Sequence, residues 1–330
     1  MLIGPNGSGK TSILEAIAYS SVLKSIKNDS KNSIIKNDKD LSKIKTNIIN
    51  NGRNSTIDIT LSKLNRDTVF INDVKASKSS QLLEEFTFTL FTPEDLNLIK
   101  GGPNLRRDYL DEILSNLSTY NLNSIRQFEK SLRQRNILLK QITLKNYMNY
   151  IDTLNVWDEQ IVKYSTILVN LRKNLISELT PYIQKEFMRI TNIKRDINIS
   201  YISSVKDDIV LELADKRTED IVRKTTTIGA HRDDIEITLG SLDSRRQLSQ
   251  GQQRSLAISL KLAMHHILID KKNKIPVILL DDVFSELDEE VSNNLLEQIY
   301  DYQAIVTSAT KPLKKISIEK EVRMLNGECE

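Results

Sequence analysis

Residues Gly4-Pro5-Asn6-Gly7-Ser8-Gly9-Lys10-Thr11 constrain this chain more than any other stretch. They fit the pattern G-x-x-x-x-G-K-[ST] at every fixed position. Such a loop needs glycines because backbone N–H groups must turn inward around a phosphate, where a β-carbon would obstruct them. The pattern predicts that the Lys10 ammonium reaches the β- and γ-phosphates of ATP and that the Thr11 hydroxyl ligates Mg²⁺. Ile13, Leu14 and Ile17 recur at helical spacing, so a helix should start at the loop and add the positive end of its dipole. A loop of this kind normally hangs from a strand. Only Met1, Leu2 and Ile3 precede Gly4, so a short strand is expected.

"VILLDDVFSELD" (277–288) supplies a second half for such a site. Its apolar run predicts a buried parallel strand, with Asp281 emerging at the carboxyl end, where ligands bind in parallel sheets. Asp281 is the expected Mg²⁺ partner and Asp282 the base that orients an attacking water; two acids capping the next turn is the plainer alternative. In "QLSQGQQRSLAISLKLA" (247–263), Ser249 can cap a helix while Gly251 permits close approach. With the Gln252 and Gln253 amides this makes a second anion site at a helix start, an ordinary capped core helix being the plainer alternative. One chain does not need two such sites. Two facing chains do, each closing its helix end over the other's γ-phosphate.

The organisation read from pattern is α/β at both ends with a helical insertion. Residues 1–93 form the first lobe, 94–192 a helical bundle and 193–330 the second lobe. Within the first lobe, 26–55 reads as polar surface. Residues 55–62 and 68–76 read as neighbouring strands with an Asn72-Asp73 turn, and 86–92 as a strand ended by Pro93. In the insertion, "GGP" at 101–103 and Pro181 are the breakers. Beyond it, strands are expected at 197–203, 225–229, 235–240, 275–282 and 304–310. Helices are expected at 206–224 and from Gly251 to about Asp270.

Composition narrows the classes. The 47 Lys and Arg nearly balance 44 Asp and Glu, so any polyanion surface must be a local patch. A single cysteine, Cys329, neither closes an internal disulfide nor builds a metal cluster, and fits a reducing compartment. No apolar run is long enough to span a membrane, and no export signal is visible, so a cytoplasmic protein is expected. Arg106 and Arg107 in "LRRDYLDE" either meet DNA phosphate or lie on a solvated helix face. In "GAHRDD" (229–234), Arg232 and His231 either line a nucleotide or DNA cleft or belong to a self-paired turn. Of His265 and His266, one should pack inward and one meet solvent, and Trp157 is expected in the core.

The phosphate loop, "LSQGQQR", "LLDDVFSELD" and a distant helical insertion together resemble the ABC-type ATPases of the SMC and Rad50 class. "FTPEDLNLIKGGPNLRRDYLDE" (91–112) and "GAHRDD" narrow the likeness to the RecF family of bacterial recombination proteins. The resemblance implies an ABC-type head with a mixed or parallel sheet and an inserted helical domain. It also implies a DNA-binding protein that dimerises on ATP and turns ATP over slowly with DNA. Such a protein assists recombinase loading at gapped DNA with RecO and RecR, and supports replication restart and the SOS response. Carried over, Lys10 and Thr11 match the phosphate-loop pair, and Asp281 and Asp282 the magnesium and water-activating acids. Ser249, Gln250, Gly251 and Gln252 match the signature that acts across the dimer, and Asp288 the dimer-loop acid. Ala230 stands where the family commonly has proline, and Thr307 or Ser308 where transporter ATPases carry a switch histidine. The family commonly begins with strands bearing an aromatic- and arginine-containing stretch beside adenine. None precedes Gly4 here, for which a late-assigned start or a truncated gene is expected. A transporter subunit and a non-catalytic scaffold are the competing readings; the long separation of Lys10 from Ser249 disfavours the first.

Overall fold

The computed structural model of the chain describes residues 1–25, 34–50, 52–77, 80–272, 274–309, 318–325 and 327–329. In chain order these form β1 (Leu2–Ile3), α1 (Lys10–Val22), β2 (Leu41–Asn50), β3 (Arg53–Ser62), β4 (Thr68–Ile71), β5 (Val74–Lys75), α2 (Ser80–Glu85) and β6 (Phe88–Phe91). Four helices follow: α3 (Asn97–Lys100), α4 (Pro103–Leu117), α5 (Thr119–Gln141) and α6 (Ile151–Thr191). Next come β7 (Ile197–Ile202), α7 (Ile209–Asp215), α8 (Arg217–Arg223), β8 (Asp234–Leu239), β9 (Leu242–Asp243) and α9 (Gln250–Lys272). The series ends with β10 (Val277–Asp281), α10 (Glu289–Ile299), β11 (Ala304–Ser308), β12 (Val322–Leu325) and β13 (Glu328–Cys329). Two compact units result, Met1–Pro93 with Leu268–Glu330, and Glu94–Ile267.

Among the described residues, the first unit holds two sheets. One has the order β13-β12-β1-β11-β10-β6, parallel except for the β12–β13 pair. Parallel strands are covered on both faces, which is why Ile278, Leu279 and Leu280 are apolar and fully buried. Helix α1 lays Leu14 and Ala18 against Phe88 and Leu279. The two residues of β1 pair with β11 on one side and β12 on the other, so the short strand is central. The second sheet, β2-β3-β4-β5, is antiparallel and packs Ile57, Ile59 and Leu61 with Tyr19 of α1. The turn between β4 and β5 has Asn72 at φ 50 and Asp73 at φ 64, the left-handed pair that a two-residue hairpin requires.

In the second unit, α5 and α6 pack Leu138, Leu139, Ile142 and Leu154 together with Ile221 of α8. Trp157 is partly buried against this cluster, in keeping with a core role. Strands β7, β8 and β9 form an antiparallel sheet. Arg135 is completely buried. It donates to Asp158 at 2.6 Å, to Asp220 at 2.6 Å and to Thr226 Oγ1 at 2.9 Å. Arg217 reaches the other oxygen of Asp158 at 2.5 Å, so two guanidinium groups share two carboxylates, while Arg135 Nη2 and Arg217 Nε find no partner among the described residues.

Four expectations need correction. Residues 41–50 are not surface loop but strand β2, whose inward-facing Ile44 and Ile48 pack on the sheet core while Lys43 and Lys45 face out. The remainder of that segment at 26–33, and residue 51, lie outside the described residues. Residues 225–229 form no strand, because side chains take their backbone donors: Thr226 N–H bonds Asn136 Oδ1 and Thr227 N–H bonds Asp220 Oδ1. The helix expected at 206–224 is two helices meeting at Lys216, the first capped by Asp208. Pro181 does not break α6, which runs 41 residues through it. Proline removes one helical hydrogen bond, and the buried Leu175, Leu179, Ile183 and Phe187 on both sides hold the axis.

Candidate functional site

The phosphate loop runs from β1 into α1. Gly7 and Gly9 have φ values of 81 and 96, conformations that disfavour any side chain. Gly4 is required for another reason: a β-carbon there would lie 2.2 Å from the Met324 carbonyl oxygen. Lys10 is largely buried, and its Nζ donates to the carbonyls of Gly4 at 2.7 Å and Pro5 at 2.9 Å. The ammonium thus lies across the mouth of its own loop, where phosphate oxygens can replace the two carbonyls. Asn6 and Gly7 are exposed at the tip. Ser8 Oγ is buried with no hydrogen-bond partner among the described residues. A buried hydroxyl left without a partner costs about 1–3 kcal/mol, so it is poised for an incoming acceptor.

The second half of the site comes from the ends of β10 and β11. Thr11 Oγ1 donates to Asp281 Oδ1 at 3.1 Å, joining residues 270 positions apart. Thr307 Oγ1 donates to the same oxygen at 2.7 Å and accepts from the Asp282 N–H at 3.0 Å. Asp282 has φ 53 and ψ 26, a left-handed conformation that costs a non-glycine residue about 1–2 kcal/mol. Outliers of this kind gather where function demands them. The hydroxyl and carboxylate oxygens of Thr11 and Asp281 are the hard donors that Mg²⁺ prefers. Their donor chemistry fits the ion, and they are the residues that would hold it. Asp288 is exposed and accepts from the Val291 N–H at 2.8 Å, which makes it the N-cap of α10.

The signature residues belong to the second unit. Ser249 and Gln252 form a reciprocal cap: Gln252 N–H donates to Ser249 Oγ at 3.3 Å, and Ser249 N–H to Gln252 Oε1 at 3.1 Å. Gln250 and Gly251 are exposed, and a β-carbon on Gly251 would meet nothing within 4 Å. The buried Gln253 does not face an anion. Its amide holds the carbonyls of Ser244 and Arg245, fixing the chain before the helix.

Arg106 requires a correction. It is 3% exposed, forms a two-pronged bridge to Asp234 at 2.7 and 2.9 Å, and donates to the carbonyls of Leu98 and Gly101. With its guanidinium fully engaged, it does not present itself to a DNA phosphate. Arg107 is half-buried and donates to the Asp233 carbonyl at 2.5 Å; burial lowers its pKa. The 229–234 stretch folds back on itself. His231 Nε2 and the Arg232 guanidinium both meet the Thr226 carbonyl, and Asp233 accepts from Tyr201 and the Ser204 N–H. Burial pushes the His231 pKa down to about 4. His265 is wholly buried, whereas His266 is partly exposed and places Nδ1 3.2 Å from the buried Glu186 carboxylate. Sequence reading missed Arg172, which bridges Asp111 at 2.7 and 2.8 Å and donates to the Ala230 carbonyl. No spacing rule could have paired it.

Among the described residues, no helix is long and apolar enough to cross a membrane, and no cluster of three His, Cys, Asp or Glu side chains is arranged for a metal. A family model for the RecF/RecN/SMC N-terminal domain matches residues 1–328. The chain is 36% identical to the DNA replication and repair protein RecF of Lachnospira eligens, over 93% of this chain and 85% of that one. Two solved structures, of the recombination mediator protein RecF-ATPrS and RecF-ATP in the RecFOR pathway, are similar with TM-scores of 0.90 and 0.87. Each is 28% identical and covers all of this chain, with 90% and 92% of the respective relatives covered in turn. An α/β head whose phosphate loop meets a strand-end acid, matched along nearly its full length, leads to one assignment: the chain belongs to the RecF family of DNA replication and repair proteins.

Proposed function

We propose that this chain is an ATP-dependent, cytoplasmic DNA-binding protein that acts as a slow, DNA-stimulated ATPase switch. One observation carries the reading: the Thr11 hydroxyl meets the Asp281 carboxylate at 3.1 Å, which unites the phosphate loop with the acid-ended strand. The solved relative named RecF-ATP supports the choice of nucleotide. Lys10 exchanges its two loop carbonyls for phosphate oxygens. Thr11 and Asp281 hold Mg²⁺, which supplies charge neutralisation at the phosphates. Asp282, at the end of the same strand, orients the attacking water.

The exposed, sterically open start of α9 suits a partner rather than its own unit. Ser249, Gln250, Gly251 and Gln252 close over the γ-phosphate held by a second copy, with Asp288 in the dimer loop. The ATP-bound dimer grips DNA, and hydrolysis releases it. In that state the protein assists recombinase loading at gapped DNA with RecO and RecR, and supports replication restart and the SOS response. Arg107 is the remaining candidate for a DNA phosphate contact.

Sedimentation with and without ATP-Mg²⁺, beside hydrolysis with and without duplex DNA, tests the reading. An ATP-dependent dimer and DNA-stimulated turnover are expected. Lys10→Met abolishes nucleotide-dependent dimerisation, whereas Asp282→Asn permits the dimer and stalls turnover. A monomer indifferent to both additions would refute the proposal.

A further inference from the structure

The last described strands carry residues that no motif marks, yet they lie against the phosphate loop. β12 pairs with β1 so that Leu2 is opposite Val322 and Ile3 opposite Arg323, and the Val322 N–H donates to the Met1 carbonyl at 2.9 Å. This register sets the Met324 carbonyl beside Gly4, where it leaves no room for a β-carbon. The Gly327 N–H then donates to the Ser8 carbonyl at 3.0 Å. A β-carbon on Gly9 would lie 3.3 Å from Gly327 Cα and 3.7 Å from Met324 Cε. Met324 is buried, and Cys329 Sγ donates to its sulfur at 3.4 Å. Gly4, Ser8 and Gly9 therefore share one neighbour, the β12–β13 hairpin.

A loop that aims N–H groups inward must turn carbonyls outward, and those carbonyls need donors if the loop is to keep its shape. Gly327 supplies one to Ser8, and does so at φ 85, a conformation that glycine adopts without strain. We infer that Met324 and Gly327 are positioning residues for the nucleotide: the hairpin holds the loop in its phosphate-accepting shape. Loosening the hairpin weakens ATP binding without touching Lys10, Thr11 or Asp281. This rests on the reading of the loop as an ATP site.

The test uses the full chain and three readouts: amide exchange of the 1–12 segment without nucleotide, equilibrium binding of ATP-Mg²⁺, and labelling of Cys329, the only thiol. Gly327→Ala forces a side chain into the left-handed region and should raise loop exchange and weaken ATP by about tenfold each. Gly327→Asn, which tolerates positive φ, should stay within about threefold of the unsubstituted chain. In the unsubstituted chain, saturating ATP should slow Cys329 labelling by at least about threefold, because coupling between two sites is reciprocal. Unchanged loop exchange in Gly327→Ala overturns the inference, as does weaker ATP binding with unchanged exchange, or an Asn variant as impaired as the Ala one. Labelling of Cys329 that ignores bound ATP overturns it too. If the unsubstituted chain binds no ATP while Gly327→Ala still loosens the loop, the ATP reading fails and the hairpin's hold on the loop stands.

Discussion

The phosphate loop and the buried charge network of the helical unit are both polar, but their shapes are fixed differently. The loop is set by backbone: positive φ at Gly7 and Gly9, a carbonyl against Gly4, and one lysine bonded to two carbonyls. The network is set chiefly by side chains, with Arg135 buried between Asp158 and Asp220 and Arg217 completing it. Backbone-set sites tolerate loss of a side chain and fail in function. Side-chain-set sites fail in stability, because a charge left behind has nothing to meet.

The sharpest way to break this contrast is Arg135→Ala, which leaves the buried Asp220 without a cation and Asp158 with Arg217 alone, and should cost about 3–5 kcal/mol in urea unfolding. Lys10→Met removes only bonds to loop carbonyls and should stay within about 1 kcal/mol while losing ATP. Equal losses of stability in the two would erase the distinction. A smaller effect comes from pH. His231 is neutral when folded with a pKa near 4, and in the unfolded chain it returns to an ordinary value near 6.5. The unfolded state therefore binds more protons between those values, and stability falls as pH drops through that window. From pH 7 to 5 the loss due to this group should be about 2 kcal/mol, and His231→Gln should remove that share while leaving the share of the buried His265, whose pKa burial pushes down to about 3. Smallest is Asp288→Ala, which removes the cap of α10 and should cost about 1 kcal/mol. If ATP-dependent dimerisation disappears while stability falls no further than that, the acid works in the dimer as well as in the cap.

The same contrast explains what could be read from the amino-acid order. Residues 4–11 were legible because backbone geometry demands glycine at fixed spacing, and the apolar run before Asp281 because a covered parallel strand admits little else. Strand β2 was missed because its outward lysines and asparagines hide the alternation with Ser42, Ile44, Thr46 and Ile48. Arg106 was misjudged because its partner Asp234 lies 128 positions away, and exposed and paired arginines look alike in a string of letters. The contact of Gly327 with the loop has no local signature, since it depends on β12 docking beside β1.

Strand pairing also works as a vernier at the end of β10. Asp281 stands opposite Thr307 and Leu280 opposite Val306. A slide of one residue along β11 would set an isopropyl group or the Ser308 hydroxymethyl beside the acid, and both hydrogen bonds of the threonine would go. The reactivity of this strand end is thus graduated by alignment as much as by composition, and a packing change well away from the nucleotide could detune it while every motif residue stayed in place.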